Sequence, residues 1–283
     1  MKRRLLSSLS LFVILACLSG VQAQTRKPTP RQPTTKKAPP AASRQTSAQA
    51  ELDEIIKLPP AESIPRLQSL LETKPPAAVQ TRALEHLVSA HAALADEKLS
   101  AGDAPGGVDE FKQAVTLAPV DMSDKLFIGV VSQFPANLFL REQREAAFEV
   151  ARLIEAKVKD SAPRLLVLSA FYLNIEQVDE AARLAESAHT LAPDLAAVHQ
   201  ALGAAARLAL KLDEAAREYK RALELDPKSV VSRRNLADLL RATGKPEDAL
   251  ALYREQLTND PTDRAAQTGL VLSLLEAGKG EDA

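Results

Sequence analysis

The segment Ala196 to Ser229, AAVHQALGAAARLALKLDEAAREYKRALELDPKS, decides how the rest of the chain is read. It is rich in Ala and Leu, and its apolar residues recur at three- and four-residue intervals, the spacing of one helical face. Shifted by 34, the segment aligns with its neighbours on both sides. Leu168, Leu202, Leu236 and Leu270 form one column, and Ser169, Gly203 and Ala237 form a second of small residues. Ala181, Ala215, Ala249 and Ala283 form a third, followed by Ala185, Tyr219 and Tyr253, then Ala188 and Ala222, then Pro193, Pro227 and Pro261. A fixed period of this length marks a stack of supersecondary units, none of which buries its apolar face alone.

The columns have a direct physical sense. Within the quoted unit, Leu195 to Leu210 reads as a first helix and Asp213 to Leu225 as a second. Gly203 and Ala215 are small where two helices must come within about 8–10 Å. Tyr219 and Ala222 lie three apart on one face of the second helix and are placed to pack on the neighbouring unit. Asp213 is placed to cap that helix, and Pro227 stops it. Glu214 with Arg217, and Glu218 with Arg221, are spaced for ion pairs on the exposed face.

This register resembles the tetratricopeptide repeat, whose unit is two antiparallel helices. The resemblance implies an all-α fold, a right-handed superhelical solenoid of antiparallel helix pairs. Units are expected near 128–161, 162–195, 196–229 and 230–263, with a partial unit at 264–283. In the 128–161 unit Phe134, Ala147, Ala151 and Ile154 hold the columns, but Lys159 replaces the proline. Phe111, Ala114 and Pro119 precede Tyr219, Ala222 and Pro227 by three periods plus six, so a six-residue insertion is expected near Val120 to Lys125. Residues 51–127 therefore read as degenerate helical repeats, including helices over 61–73 and 77–100 separated at Pro75-Pro76.

The N-terminus reads as a targeting segment. Lys2, Arg3 and Arg4 precede the apolar run Leu5 to Leu18, and Val21-Gln22-Ala23 offers small residues for cleavage, giving a signal peptide over 1–23. Export to the periplasm or medium is expected. Cys17, the only cysteine, is either an apolar residue lost with the leader or, since Ile14-Leu15-Ala16-Cys17 resembles a lipobox, the site of a lipid anchor. Either way no disulfide is available to the folded part. Residues 24–50 read as a disordered linker rich in Pro, Lys and Arg, too polar to offset the entropy of ordering. The chain carries 36 Lys and Arg against 37 Asp and Glu, but nine basic and no acidic residues fall in the first 50. The remainder thus holds 27 basic and 37 acidic residues, a net charge of −10, which argues against a nucleic-acid partner.

The repeat region offers little catalytic chemistry. It has no Gly-rich phosphate loop and no G-x-S-x-G or H-E-x-x-H motif. His86 and His91 are five apart, not the i, i+4 pair of a helical metal site. His199 reads as an inward packing residue, and His189 lies late in a second helix, near the negative end of its dipole. No metal, cofactor or catalytic residue is expected. The resemblance implies that first helices line a concave groove, commonly a seat for an extended or helical peptide. Gln200, Ala204 and Arg207 would face it, followed by Arg234, Asn235, Asp238 and Arg241. Asn235 matches one position of the clamp that some members use for a peptide C-terminus, while Ala204 and Gly269 lack the other side chains.

The function expected is a non-enzymatic protein–protein interaction scaffold or assembly factor of the bacterial cell envelope, with other proteins or peptides as partners and the membrane reached only through Cys17. The alternative is the targeting or regulatory repeat region of a longer exported enzyme or receptor. EAGKGEDA at Glu276 to Ala283 matches ATGKPEDA at Ala242 to Ala249, where the chain runs on into a second helix, so a longer solenoid is expected. The last first helix carries Leu270, Val271, Leu272, Leu274 and Leu275 on more than one face, so exposed apolar surface, and self-association through this end, is the other expectation.

Overall fold

The structure, a computed structural model, describes residues 41–282. The leader, Cys17 and linker residues 24–40 lie outside the described residues. Among the described residues the chain is helical and has no strand. It divides into two compact units, 41–158 and 159–282, so the 128–161 repeat falls almost wholly in the first.

The first unit contains α1 (Ala41–Ile55), α2 (Pro60–Glu72), α3 (Ala77–Ser100), α4 (Ala104–Leu117), α5 (Asp124–Gly129), α6 (Phe134–Leu140) and α7 (Arg144–Val158). Helix α1 starts ten residues inside the segment read as linker. Beyond Pro40 that stretch is Ala-rich and free of Gly and Pro, so helix costs little there. Its end is held by Leu52 and Ile55, which are buried with Ile64, Leu67, Leu70, Val79 and Leu87. Pro75-Pro76 separates α2 from α3 as the sequence requires. In the 128–161 repeat the first helix is broken into α5, a 3-10 turn at Val131–Gln133, and α6. Pro135 sits in the first turn of α6, where its missing N–H is tolerated but backward extension of the helix is not. Of the segment where the insertion is expected, residues 120–123 lie in the loop before α5, while Asp124 and Lys125 begin the helix, which Ser123 caps through its hydroxyl and the Leu126 N–H.

The second unit contains α8 (Ala162–Asn174), α9 (Val178–Leu191), α10 (Ala196–Leu208), α11 (Leu212–Leu225), α12 (Val230–Ala242), α13 (Pro246–Asn259) and α14 (Arg264–Glu276), then a 3-10 turn at Gly280–Asp282. Helices α8/α9, α10/α11 and α12/α13 are the antiparallel pairs, and each second helix packs on the next first helix. Helix α11 begins at Leu212 with no side-chain cap. Asp213 lies in its first turn, where its charge suits the helix dipole without a capping bond.

A column absent from the sequence reading governs the reversals. Glu142, Glu176, Leu210, Gly244 and Gly278, spaced by 34, all have positive φ, as does Gly102, three periods plus six before Leu210. Each stands just past a helix, where the next N–H turns back onto a helix carbonyl: Lys211 N to Ala206 O at 2.9 Å, Lys245 N to Leu240 O at 2.9 Å, Lys279 N to Leu274 O at 2.8 Å. This is the left-handed C-terminal motif that satisfies orphan carbonyls.

That reversal brings the small column under the aromatic one. A Cβ on Gly203 would stand 2.7 Å from Cδ1 and Cε1 of Tyr219, which is fully buried with Ala206, Ala215, Leu236 and Leu239. Tyr219 therefore joins its own helix pair to α12. Tyr253 repeats the arrangement beside Ala237 and Ala266, and a Cβ on Gly269 of α14 would fall 2.4 Å from its ring. The outer face of α14 exposes Val271, Leu272 and Leu275, the last at 55%.

Two stability measurements check this account. Leu210 is 81% exposed, so Leu210→Gly removes left-handed strain without loss of packing. It should stabilise the chain by about 0.5–1 kcal/mol, the strain of ~1–2 kcal/mol less the flexibility cost of glycine. Gly203→Ala should destabilise by about 1–3 kcal/mol through overpacking against Tyr219. Urea denaturation of the two variants should move in opposite directions.

Candidate functional site

The side chains read as groove residues sit on α10 and α12, and most are tied to the protein itself. Gln200 on α10 donates its Nε2 to Ser229 Oγ at 2.8 Å and Ser232 Oγ at 2.7 Å, at the start of α12. Ser229 is the N-cap of α12 and also accepts from the Ser232 N–H. One period on, Arg234 of α12 donates to Asp263 at 3.0 and 3.2 Å. Asp263 caps α14 by accepting from the N–H groups of Ala265 and Ala266 at 3.1 Å and also takes Gln256 Nε2 at 3.0 Å. Positions 200 and 234 thus reach from one first helix to the cap of the next, with an amide–hydroxyl pair in one repeat and an ion pair in the other. Burial works to raise the Asp263 carboxyl, but the Ala266 N–H, Arg234 and Gln256 together hold it below its ordinary range.

Arg241 and Asp238 are also engaged. Tyr253 Oη donates to Asp238 Oδ1, and Arg241 Nη1 donates to Glu276 Oε1 at 2.6 Å. Burial and the Asp238 carboxylate push the Tyr253 phenol well up. Asn235 is half-buried on the same helix. Arg207 differs from the other two arginines: it is exposed and has no carboxylate partner among the described residues. Its charge acts on the nearby Tyr219 phenol, which burial pushes up, but Tyr219 Oη makes no hydrogen bond of normal geometry.

A second set of polar side chains was not distinguished as a group in the sequence. His199, Arg233 and Gln267, spaced by 34, each bond the carbonyl of the column proline six residues earlier. His199 Nε2 lies 2.8 Å from Pro193 O, Gln267 Nε2 donates to Pro261 O at 2.8 Å, and Arg233 Nη2 donates to Pro227 O. The other ring nitrogen of His199, Nδ1, meets Glu218 Oε2 at 2.7 Å. His199 is therefore buried as expected, but hydrogen-bonded at both nitrogens rather than merely packed. Arg233, only 3% exposed, also reaches Gln256 Oε1 at 3.0 Å and Glu255 Oε1 at 2.8 Å. The recurrence is hidden in the sequence because three unlike residues do the same task.

These bonds redirect the ion pairs expected along α11. Glu218 turns inward to His199, and Arg221 pairs with Asp194 and Glu224 rather than Glu218. Glu214 faces Lys211 at 3.8 Å instead of Arg217.

In the first unit His91 and Glu110 precede His199 and Glu218 by the same three periods plus six. They form the same pair, Nδ1 to Oε2 at 2.6 Å, with Lys98 on the other carboxylate oxygen at 2.6 Å. Burial opposes the charge of Glu110, but Lys98 and His91 hold its carboxyl below the ordinary range. His91 Nε2 has no partner. Its counterpart reaches a free loop carbonyl, whereas Glu85, six residues before His91, lies within the continuous α3, where its carbonyl accepts from Ser89 Oγ. His86 and His91 do not converge, and no group of three or more His, Cys, Asp or Glu gathers around a metal-sized space among the described residues. No helix among them is long and apolar enough to cross a membrane.

Arg234 can be tested as an inter-repeat tie. Arg234→Ala should cost about 1–2 kcal/mol, since it leaves a mostly buried carboxylate short of a charged partner. Because the Asp263 carboxyl is lowered, its contribution is complete above the unfolded carboxylate range near ~4 and is lost as pH falls through the folded value. Thermal melts of wild type and variant should differ at neutral pH and converge in acid.

The repeat is shared with known proteins. The Tetratricopeptide repeat family model matches residues 206–270, and no curated protein sequence matches the chain. Among solved structures, TTC0263, a thermophilic tetratricopeptide protein of Thermus thermophilus, is 20% identical. That alignment covers 66% of this chain and 99% of that one at a TM-score of 0.46. A MamA protein is 16% identical over 54% of this chain and 83% of its own, with a TM-score of 0.47. A chain of the Cut9–Hcn1 hetero-tetramer of the APC/C is 15% identical over 83% of this chain and 47% of its own, with a TM-score of 0.46.

Proposed function

We propose that this chain, which belongs to the tetratricopeptide repeat family through residues 206–270, is a non-enzymatic scaffold or assembly factor of the bacterial cell envelope that holds a partner peptide along its first helices. The observation that carries this reading is the recurrence of groove-side positions on successive first helices: Gln200, Ala204 and Arg207 on α10, then Arg234, Asp238 and Arg241 on α12. A rigid row of side chains at a fixed repeat suits an extended ligand, whose own residues also recur at a fixed rise. Ties such as Arg234–Asp263 stiffen the row, so little ordering entropy is lost on binding.

The envelope setting rests on the leader expected over 1–23, with release into the periplasm or medium, or anchorage through Cys17, as its two outcomes. The basic, Pro-rich stretch after the leader suits a tether. The exposed Val271, Leu272 and Leu275 of α14 support association between copies at that end.

The test is site-specific photo-cross-linking in the full chain, expressed in a bacterial host. A photoreactive residue at Ala204, on the groove side of α10, should give discrete adducts with envelope proteins. The same residue at Arg217, exposed on α11, should give few. Adducts equal at both positions, or a chain that stays in the cytoplasm with its leader uncut, would overturn the groove or the envelope reading respectively.

A further inference from the structure

Of the three side chains that serve the column prolines, Arg233 and Gln267 keep one charge state at any ordinary pH, and only His199 can gain or lose a proton near neutrality. Its ring lies between a backbone carbonyl and a carboxylate. Nε2 is 2.8 Å from Pro193 O, and Nδ1 is 2.7 Å from Glu218 Oε2. A neutral imidazole has one N–H and satisfies one such acceptor, whereas the imidazolium has two. Both contacts of this buried ring together therefore require the His199–Glu218 pair to hold one proton more than a neutral ring beside a carboxylate.

Loss of that proton leaves one N–H for two acceptors, and the surroundings decide which contact goes. The Pro193 carbonyl is fixed in the turn between α9 and α10, while the Glu218 side chain is 26% exposed and free to swing. One cation on α11 stands at helical spacing from it: Arg221, three residues on. Arg221 is loosely held, because its partners Asp194 and Glu224 are both exposed and such pairs contribute little. Glu218 thus has a second seat. Glu214, four residues before it, adds a like charge on α11 that favours movement toward Arg221. On α9, His189 meets the His199 ring edge-on with centroids 5.4 Å apart. Helix α8, which also packs on α10, has Arg164 and Tyr172 as its ionisable side chains.

The first unit holds the same pair without the conflict. His91 Nδ1 meets Glu110 Oε2 at 2.6 Å, but Nε2 has no partner, and Lys98 occupies the other carboxylate oxygen. One N–H is enough there, and a neutral His91 leaves the Lys98–Glu110 ion pair intact.

We propose that the His199–Glu218 pair is a proton-operated latch between the 162–195 and 196–229 repeats. With the proton in place Glu218 is held against α10. As the proton leaves with rising pH, Glu218 exchanges to Arg221, and Arg221 gives up Asp194 of the α9–α10 turn. One proton thereby governs two ties of α11, to α10 and to the turn before it.

The test follows the Arg221 Nε–H in nitrogen-15 spectra of the full chain from about pH 5.5 to 9, above the carboxylate range and across that of imidazole. The His199 ring signals and the Arg221 signal should move with one midpoint. Glu218→Gln keeps the side-chain shape but removes the charge that moves. His199→Gln keeps a donor to Pro193 O, as Gln267 provides for Pro261 O, but does not titrate. In both variants the Arg221 shift over this range should fall by about threefold or more. His189→Phe keeps a ring beside His199 without a second proton site, and its Arg221 response should persist. An Arg221 signal that stays still in the wild type would overturn the latch. So would one that moves as far in Glu218→Gln, or that is lost in His189→Phe and kept in His199→Gln.

Discussion

At the end of each first helix in the second unit, one residue turns left-handed and the chain folds back on itself. Glu176, Leu210, Gly244 and Gly278 occupy this point, and only two of them are glycine. The geometry is thus imposed even where the side chain resists it, at about 1–2 kcal/mol of strain. The reason lies in the packing of the second helix. The left-handed residue sets where that helix begins and therefore which of its residues meet the first. A reversal one residue earlier or later would rotate the second helix by about 100°. Tyr219 would then no longer lie over Gly203, nor Ala215 at the closest approach.

Given that constraint, the repeats are held together by positions rather than by residue types. His199, Arg233 and Gln267 share no chemistry beyond a nitrogen able to donate, yet all three serve the carbonyl of the column proline. A proline at a helix end leaves backbone carbonyls without helical partners, and any long polar side chain from the following helix can satisfy one. Gln200 with Ser229, and Arg234 with Asp263, are a second case. The exception supports the rule: His91, on a helix that does not break six residues before it, has a ring nitrogen with nothing to bond.

The same economy shapes the groove. A polar row along first helices can serve either the array or a ligand, and most of its members here are committed to the array. Arg234 and Arg241 carry charges that Asp263 and Glu276 already answer. Arg207, in the repeat where Ala204 and Ala242 stand at the positions of Asp238 and Glu276, has no carboxylate partner among the described residues.

The sequence by itself determined the helical class, the period of 34 and the two helices of the 196–229 unit to within about two residues, because small, aromatic and proline columns recur wherever helices pack and end. It also placed Gln200 and Arg207 on one first helix and Arg234, Asp238 and Arg241 on the next. It read residues 41–50 of α1 as linker, because they give no apolar pattern of their own; the helix is anchored through Leu52 and Ile55, with Ala48 packed beside them. It read Glu218 and Arg221 as partners because spacing along one helix is visible in a sequence. Only the tertiary structure decided that Glu218 belongs to His199, that Arg234 is a tie rather than a free cation, and that Arg207 stands open. Those outcomes depend on side chains 19 to 29 residues apart meeting across helices, and a linear period fixes which faces meet but not which acceptor a given donor finds there.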